Sequence, residues 1–250
     1  MTERILKASE KFLKNPWNKT TMYTNQHRKT FIILKYEKRR IIPEEFQADD
    51  NRFPESLVEF ILDRYTKKGD TIIDIFAGLG TTLFVAEKMG RIPFGIEYDR
   101  KRCDFIQSNL KSRKSIVFGD VLKLDELSLP EFDFCFSSPP YMGKDETTNP
   151  FTCYETRGTY EQYLDDIQLI YSKVKKKMRL NSRVVIEVSN LKVKGKEEPT
   201  MLAWDIAKSV SKVLNFEGEI VIGWESKDPA KNEGSYGYGY DHSYCLVFSG

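Results

Sequence analysis

Metal-ligand spacing is missing from this sequence. Cys103, Cys135, Cys153 and Cys245 are scattered, and the two histidines, His27 and His242, cannot complete a ligand set around them. A zinc-centred fold is therefore disfavoured, no metal is expected, and the thiols read as reduced groups of a cytosolic protein. Long apolar runs are missing too. Nothing approaches the length that spans a bilayer, and the opening Met-Thr-Glu-Arg-Ile-Leu-Lys lacks the apolar stretch of a secretory signal. The expectation is a soluble, cytoplasmic protein with no membrane partner. Internal repeats and low-complexity tracts are also lacking, which argues against a solenoid or a tethering chain.

What is present is enough apolar content, 40% of 250 residues, for one substantial core. The net charge of +2 is unevenly spread. Residues 1–40 carry eleven Lys or Arg against three acids, and the remainder is net acidic. Residues 1–50 therefore read as a basic arm and 51–250 as the folded domain. Within the arm, Lys38, Arg39 and Arg40 interleave with Trp17, Tyr23, Phe31 and Tyr36, a composition that suits a nucleic-acid face. The same rings could instead pack the arm onto the domain. Residues 1–20 suggest a short amphipathic helix broken at Pro16-Trp17, and Thr30 to Tyr36 a strand.

From Pro54 onward strand and helix signals alternate. Leu57, Val58, Ile61, Leu62 and Tyr65 recur at helical spacing. Strands are expected at Thr71–Phe76, Ile92–Glu97, Ser115–Phe118, from Phe132, at Arg183–Val188, Glu219–Trp224 and Ser243–Phe248. Helices are expected through Leu83–Met89, Cys103–Leu110, Tyr163–Met178 and Leu202–Leu214. The alternation predicts a doubly wound, mostly parallel, seven-stranded Rossmann-like sheet with an antiparallel edge hairpin.

Two stretches carry chemistry. The first runs from strand to helix through Asp74-Ile75-Phe76-Ala77-Gly78-Leu79-Gly80-Thr81-Thr82, placing bare backbone at a helix start where a ligand can approach. Glu97 follows about 20 residues later at the end of the next strand, placed to bind ribose hydroxyls. A nicotinamide site would be similar in outline, but its third glycine is replaced by Leu83. The second stretch, Phe132 to Tyr141, is an alternating strand that ends in Ser137-Ser138-Pro139-Pro140-Tyr141. Two prolines cannot continue a hydrogen-bonded ladder, so carbonyls are left facing outward at a strand's carboxyl end. There the Ser138 hydroxyl and the Pro139 carbonyl could bind both hydrogens of a base's amino group, while Tyr141 stacks on the ring. A plain proline-rich turn is the alternative.

The two stretches in this order resemble the S-adenosylmethionine-dependent DNA amino-methyltransferases, the N4-cytosine and N6-adenine family, over about Phe53 to Phe248. Ile75 stands where that family usually has proline. The resemblance implies S-adenosylmethionine as cofactor, with Phe53 and Pro54 over its methionine end. It places Asp74, Phe76, Ala77, Gly78 and Gly80 along the methionine part, and Thr81 and Thr82 near the carboxylate. Glu97 would take the ribose, and Asp120 with Val121 the adenine edge. Asp74 and Asp120 could otherwise be simple caps. The turn Ser138, Pro139, Pro140, Tyr141 would be catalytic. Serine before Pro-Pro-Tyr is typical of cytosine N4 methylation, which makes DNA cytosine the expected substrate. Adenine N6, a guanine amino group in transfer RNA, and a noncatalytic nucleic-acid-binding module remain alternatives. His242-Ser243-Tyr244 resembles the family's closing His-Glu-Tyr with serine for the acid, and His242 is expected to be a core residue. Oligomeric state is not legible.

Overall fold

The structure, a computed structural model, describes residues 29–48, 50–152, 154–192, 198–225 and 238–250. Among the described residues eight strands form one sheet: β1 (Phe31–Lys35), β2 (Thr71–Asp74), β3 (Ile92–Glu97), β4 (Ile116–Phe118), β5 (Phe132–Ser137), β6 (Met178–Val188), β7 (Asn215–Glu225) and β8 (His242–Ser249). Five α-helices of the same residues accompany them: α1 (Glu55–Tyr65), α2 (Thr81–Lys88), α3 (Arg100–Asn109), α4 (Tyr160–Lys175) and α5 (Leu202–Val210). The strand order is β1-β7-β8-β6-β5-β2-β3-β4. Only β8 runs antiparallel to its neighbours β6 and β7, and every other pairing is parallel.

Successive side chains of a strand point to opposite faces, and the two cores show this residue by residue. Ile73, Cys135, Val184 and Leu246 face α4 and α5, while Ile72, Phe134, Val185 and Val247 face α1 and α2. Helical positions obey their own period: Leu57, Val58, Ile61 and Leu62 of α1 are fully buried. The start of α4 is fixed by a capping box, in which Thr159 accepts the Gln162 N–H and the Gln162 side chain accepts the Thr159 N–H.

The sheet has one strand more than the seven expected, because residues 31–35 join it. β1 pairs in parallel with β7 and forms one edge, so the antiparallel pair lies inside the sheet and not at its border. Three basic residues then fasten the following chain to the domain. Lys38 pairs with Asp50 at 3.2 Å and Arg39 with Glu59 at 2.8 Å, while the Arg40 guanidinium lies 3.7 Å from the centroid of the Phe84 ring. The Glu55 carboxylate accepts the backbone N–H of both Arg39 and Arg40 at 2.8 Å. Residues 1–28, with the helix expected there, lie outside the described residues. Among the described residues no helix is long and apolar enough to cross a membrane.

Candidate active site

The carboxyl ends of β2, β3 and β5 open into one cleft of about 970 Å³. Its wall brings together Asp74, Gly78, Glu97 and Asp120 with Ser138 and Tyr141, so the glycine turn and the proline turn share a single cavity. Strand order decides this. β2 lies between β3 and β5, and parallel strands end on the same side of the sheet.

A buried serine ties the two turns together. Ser137 donates its hydroxyl to Asp74 Oδ1 at 2.8 Å and accepts the Ile75 N–H at 2.9 Å. Asp74 also accepts the Phe76 N–H at 3.1 Å, the capping alternative for this residue, while it lines the cleft. Burial pushes its carboxyl up to about 6 despite these donors. Asp120 combines both readings in the same way, capping Leu122 N–H at 2.9 Å from a position on the cleft wall.

Glu97 ends β3 almost fully buried. Its two oxygens accept the Gly78 N–H at 2.6 Å and the Asp99 N–H at 2.8 Å, and burial pushes the carboxyl up to about 7. The bond to Gly78 fixes the glycine turn against the acid, so their separation does not depend on a bound molecule. Thr81 Oγ1 is buried at the cleft with no hydrogen-bond partner among the described residues, an unmet polar atom that a ligand can satisfy.

The glycines divide the work differently from the expectation. Gly78 has φ +56°, and a Cβ there would meet only the Phe76 carbonyl at 3.9 Å, leaving room for a ligand's atoms. Gly80 has φ +80° and faces the other way: a Cβ would stand 2.9 Å from both Ile106 and Phe84. Gly80 is thus a packing glycine behind the cleft. Thr82 is fully buried behind it, and Pro54 caps α1, so these three do not form its wall. Replacing Gly80 with alanine should cost about 2 kcal/mol or more through left-handed strain and overpacking, read as a lower urea midpoint. Phe53, Phe76, Ala77 and Val121 do line the cleft.

On the proline turn, Ser138, Pro139, Pro140 and Tyr141 all reach the cleft. Tyr163 donates its hydroxyl to the Pro140 carbonyl at 3.0 Å and braces the turn from α4. Among the described residues no hydrogen bond takes up the Pro139 carbonyl. The Tyr141 hydroxyl donates to Glu187 Oε2 at 3.3 Å and accepts the Ser189 N–H at 3.0 Å. Its ring centroid is 5.0 Å from that of Tyr238.

Sequence reasoning missed several contributors. Ser137 and Glu187 are polar residues inside apolar strands, and only strand pairing reveals their partners. Arg52, Glu146, Tyr154 and Tyr238 reach the wall from segments without periodicity. Lys38, Arg39 and Arg40 stand outside the wall, engaged with the protein's own groups. His242 is half-buried and not a core residue: its ring nitrogens meet Asp241 at 3.2 Å and the Tyr244 hydroxyl at 3.1 Å. Ser243, pointing to the opposite face, accepts the Trp224 indole N–H at 3.1 Å.

A mostly parallel sheet with one inserted antiparallel strand and a cleft at the strands' carboxyl ends is a Rossmann-like fold. Solved structures share it. TrmN from Thermus thermophilus has a TM-score of 0.56 at 14% identity, covering 81% of this chain and 50% of that one. A TehB-like SAM-dependent methyltransferase from Corynebacterium glutamicum has a TM-score of 0.50 at 16% identity, covering 82% and 92%. At the level of sequence, residues 2–108 match a DNA methylase family model, which bears out the resemblance at the first of its two motifs. Type II methyltransferase M.HinfI of Haemophilus influenzae is 33% identical over 101 residues, 38% of this chain and 28% of that protein. The chain spans no more than 28% of the length of the curated relatives it matches. The family match includes the glycine turn and Glu97 but ends before Ser138.

Proposed function

We propose that this protein transfers a methyl group from S-adenosylmethionine to the exocyclic amino group of a base in DNA, with cytosine N4 as the favoured target. The observation that carries the reading is the shared cleft, in which the glycine turn and the Ser138-Pro139 acceptors line one cavity. The cofactor, when bound, supplies an electrophilic methyl on a sulfonium centre. Glu97 would accept hydrogen bonds from its ribose hydroxyls, Gly78 would admit it close to the backbone, and Thr81 would meet its carboxylate end. An exocyclic amino nitrogen is a poor nucleophile because its lone pair is delocalised into the ring. Ser138 and the Pro139 carbonyl would each accept a hydrogen bond from it, leaving the lone pair out of the ring plane; the N–C bond would form as the donor's C–S bond breaks, and the nitrogen would then release one proton to solvent. Tyr141 stacks against the base. A duplex base must leave its stack to arrive there, at roughly a few kcal/mol. Arg102 and Lys192, both at the cleft, are the cations we assign to the strand.

The residues alone leave adenine N6 as the second reading, since either amino group offers two hydrogens to the same acceptors. Incubation of the protein with labelled S-adenosylmethionine and separate DNA and RNA pools, followed by nucleoside mass spectrometry, decides between them. N4-methylcytosine in DNA is the expected product. N6-methyladenine would move the assignment to adenine, a methylated guanine in RNA would replace the polymer, and no labelled base in either pool would overturn the proposal.

A further inference from the structure

Asp50 and Arg52 stand close together on the segment that leads from β1 into α1, and the acid holds the arginine by both backbone and side chain. Asp50 Oδ1 accepts the Arg52 backbone N–H at 3.2 Å and its Nε–H at 2.8 Å, while Oδ2 accepts an Nη2 hydrogen at 2.9 Å. The other Nη2 hydrogen reaches the Arg40 carbonyl at 3.3 Å. A guanidinium carries five N–H donors, so both hydrogens of Nη1 are left over. Among the described residues no hydrogen bond takes them up. Arg52 is only 9% exposed and lines the cleft. Its Nη1 is open to solvent, since the buried side-chain atoms without a partner belong to Thr81, Thr82 and Tyr171.

The charge is unbalanced as well. Lys38 Nζ lies 3.2 Å from Asp50 Oδ1, so one carboxylate serves two cations, and among the described residues Arg52 has no second acid within ion-pair distance. A guanidinium does not shed its proton, and burying an incompletely paired charge is unfavourable until a partner arrives. Phe53, the next residue, sets its ring 5.3 Å from that of Phe136, two residues before Ser138, which puts Arg52 on the β5 side of the cleft.

We infer that Arg52 is an oxyanion seat in the cleft wall: Nη1 binds a carboxylate or phosphate oxygen of an incoming ligand, while Asp50 fixes the direction of the guanidinium and Lys38 keeps that acid from neutralising it. The inference rests on the methylation reading for its ligands and adds a site to it. Two oxyanions belong to the proposed reaction, the carboxylate of the methyl donor and a phosphate beside the extruded base. An oxygen of either fills the open edge of the fork as a charge-assisted bond. A side chain already held by three hydrogen bonds also loses little freedom when the ligand arrives.

The test compares the wild type, Arg52→Gln and Lys38→Gln with three probes. Calorimetry measures S-adenosylmethionine and decarboxylated S-adenosylmethionine, and fluorescence anisotropy measures a labelled, mixed-sequence single-stranded oligonucleotide across a salt series. If the donor's carboxylate is the anion, Arg52→Gln weakens S-adenosylmethionine about tenfold or more and leaves the decarboxylated donor within about twofold of wild type. If a phosphate is the anion, both donors hold and the oligonucleotide weakens about tenfold, with the slope of log affinity against log salt shallower by about 0.7. An arginine that only braces the fold gives neither pattern. Lys38→Gln, outside the wall, should weaken the same ligand by about threefold, because Asp50 then neutralises Arg52 alone. All three probes within about twofold of wild type in Arg52→Gln, or equal losses for the two donors with an unchanged salt slope, would overturn the inference while leaving methylation intact. A wild type that binds neither donor overturns the methylation reading, and the oligonucleotide then decides the seat by itself. Should Arg52→Gln fail to fold, by thermal unfolding, Lys38→Gln decides, and a loss there that does not distinguish the ligands overturns the inference.

Discussion

Replacing Ser138 with alanine is expected to leave S-adenosylmethionine binding within about twofold and to cut turnover roughly a hundredfold, the scale seen when one preorganised hydrogen-bonding group is lost beside reacting atoms. The asymmetry follows from position. Ser138 lies on the proline turn after β5, whereas the glycine turn and Glu97 follow and end β2 and β3, so the two halves of the cleft can be damaged separately. Calorimetry with the cofactor and a labelled-methyl assay on the same preparation measure both quantities. A variant that binds and turns over like the wild type removes Ser138 from the reaction. Because the family match ends before this residue, the experiment probes the part of the site that rests on the Ser-Pro-Pro-Tyr motif and the shared cleft.

The second large effect belongs to Glu97. On the proposed role, its replacement by alanine would remove a charged acceptor for two ribose hydroxyls, each bond worth about 1.5 kcal/mol, and should weaken cofactor binding roughly a hundredfold. The same group gives binding a pH dependence whose sign can be worked out. Burial raises the Glu97 carboxyl to about 7, so the folded protein holds the proton more tightly than the unfolded chain. Protein stability contributed by this group therefore falls as pH rises from the ordinary carboxylate range to about 7, and is level above that. Binding runs the other way. Hydroxyl donors favour the ionised form, so affinity should rise with pH through about 7, with binding about tenfold tighter at pH 8 than at pH 6. Asp74, raised to about 6, titrates nearby, and the control is Glu97→Gln: its calorimetric Kd should be weak and nearly flat over that interval.

How far the molecule was legible depends on the kind of signal each part leaves. β2, β3 and β5 announce themselves through apolar runs, and the glycine turn through the need for bare backbone, so the cleft's position at their carboxyl ends could be read before any coordinates. β1 is legible as a strand, but the excess of cations over residues 1–40 places it in a basic arm and hides its pairing with the sheet. In the fold Lys38 and Arg39 are neutralised by Asp50 and Glu59, acids contributed by later segments. Gly80 was misjudged for a different reason. A glycine fingerprint shows where a side chain is forbidden without showing what forbids it, and here Ile106 and Phe84 do. Ser137 and Glu187 were invisible for the simplest reason: within Phe-Asp-Phe-Cys-Phe-Ser and Val-Val-Ile-Glu-Val, a polar residue acquires meaning only when its cross-strand partner is known.

The Ser137–Asp74 bond sets a constraint on how this site can vary. Under the proposed reaction, the gap that a methyl group would cross is gauged by Ser137 and Asp74, one on each of two adjacent strands. Neither strand can slip or tilt by itself without spoiling the spacing for its neighbour. A substitution at Ser137 or Asp74 should therefore disturb both turns at once, whereas one at Ser138 or Glu97 disturbs the turn it belongs to.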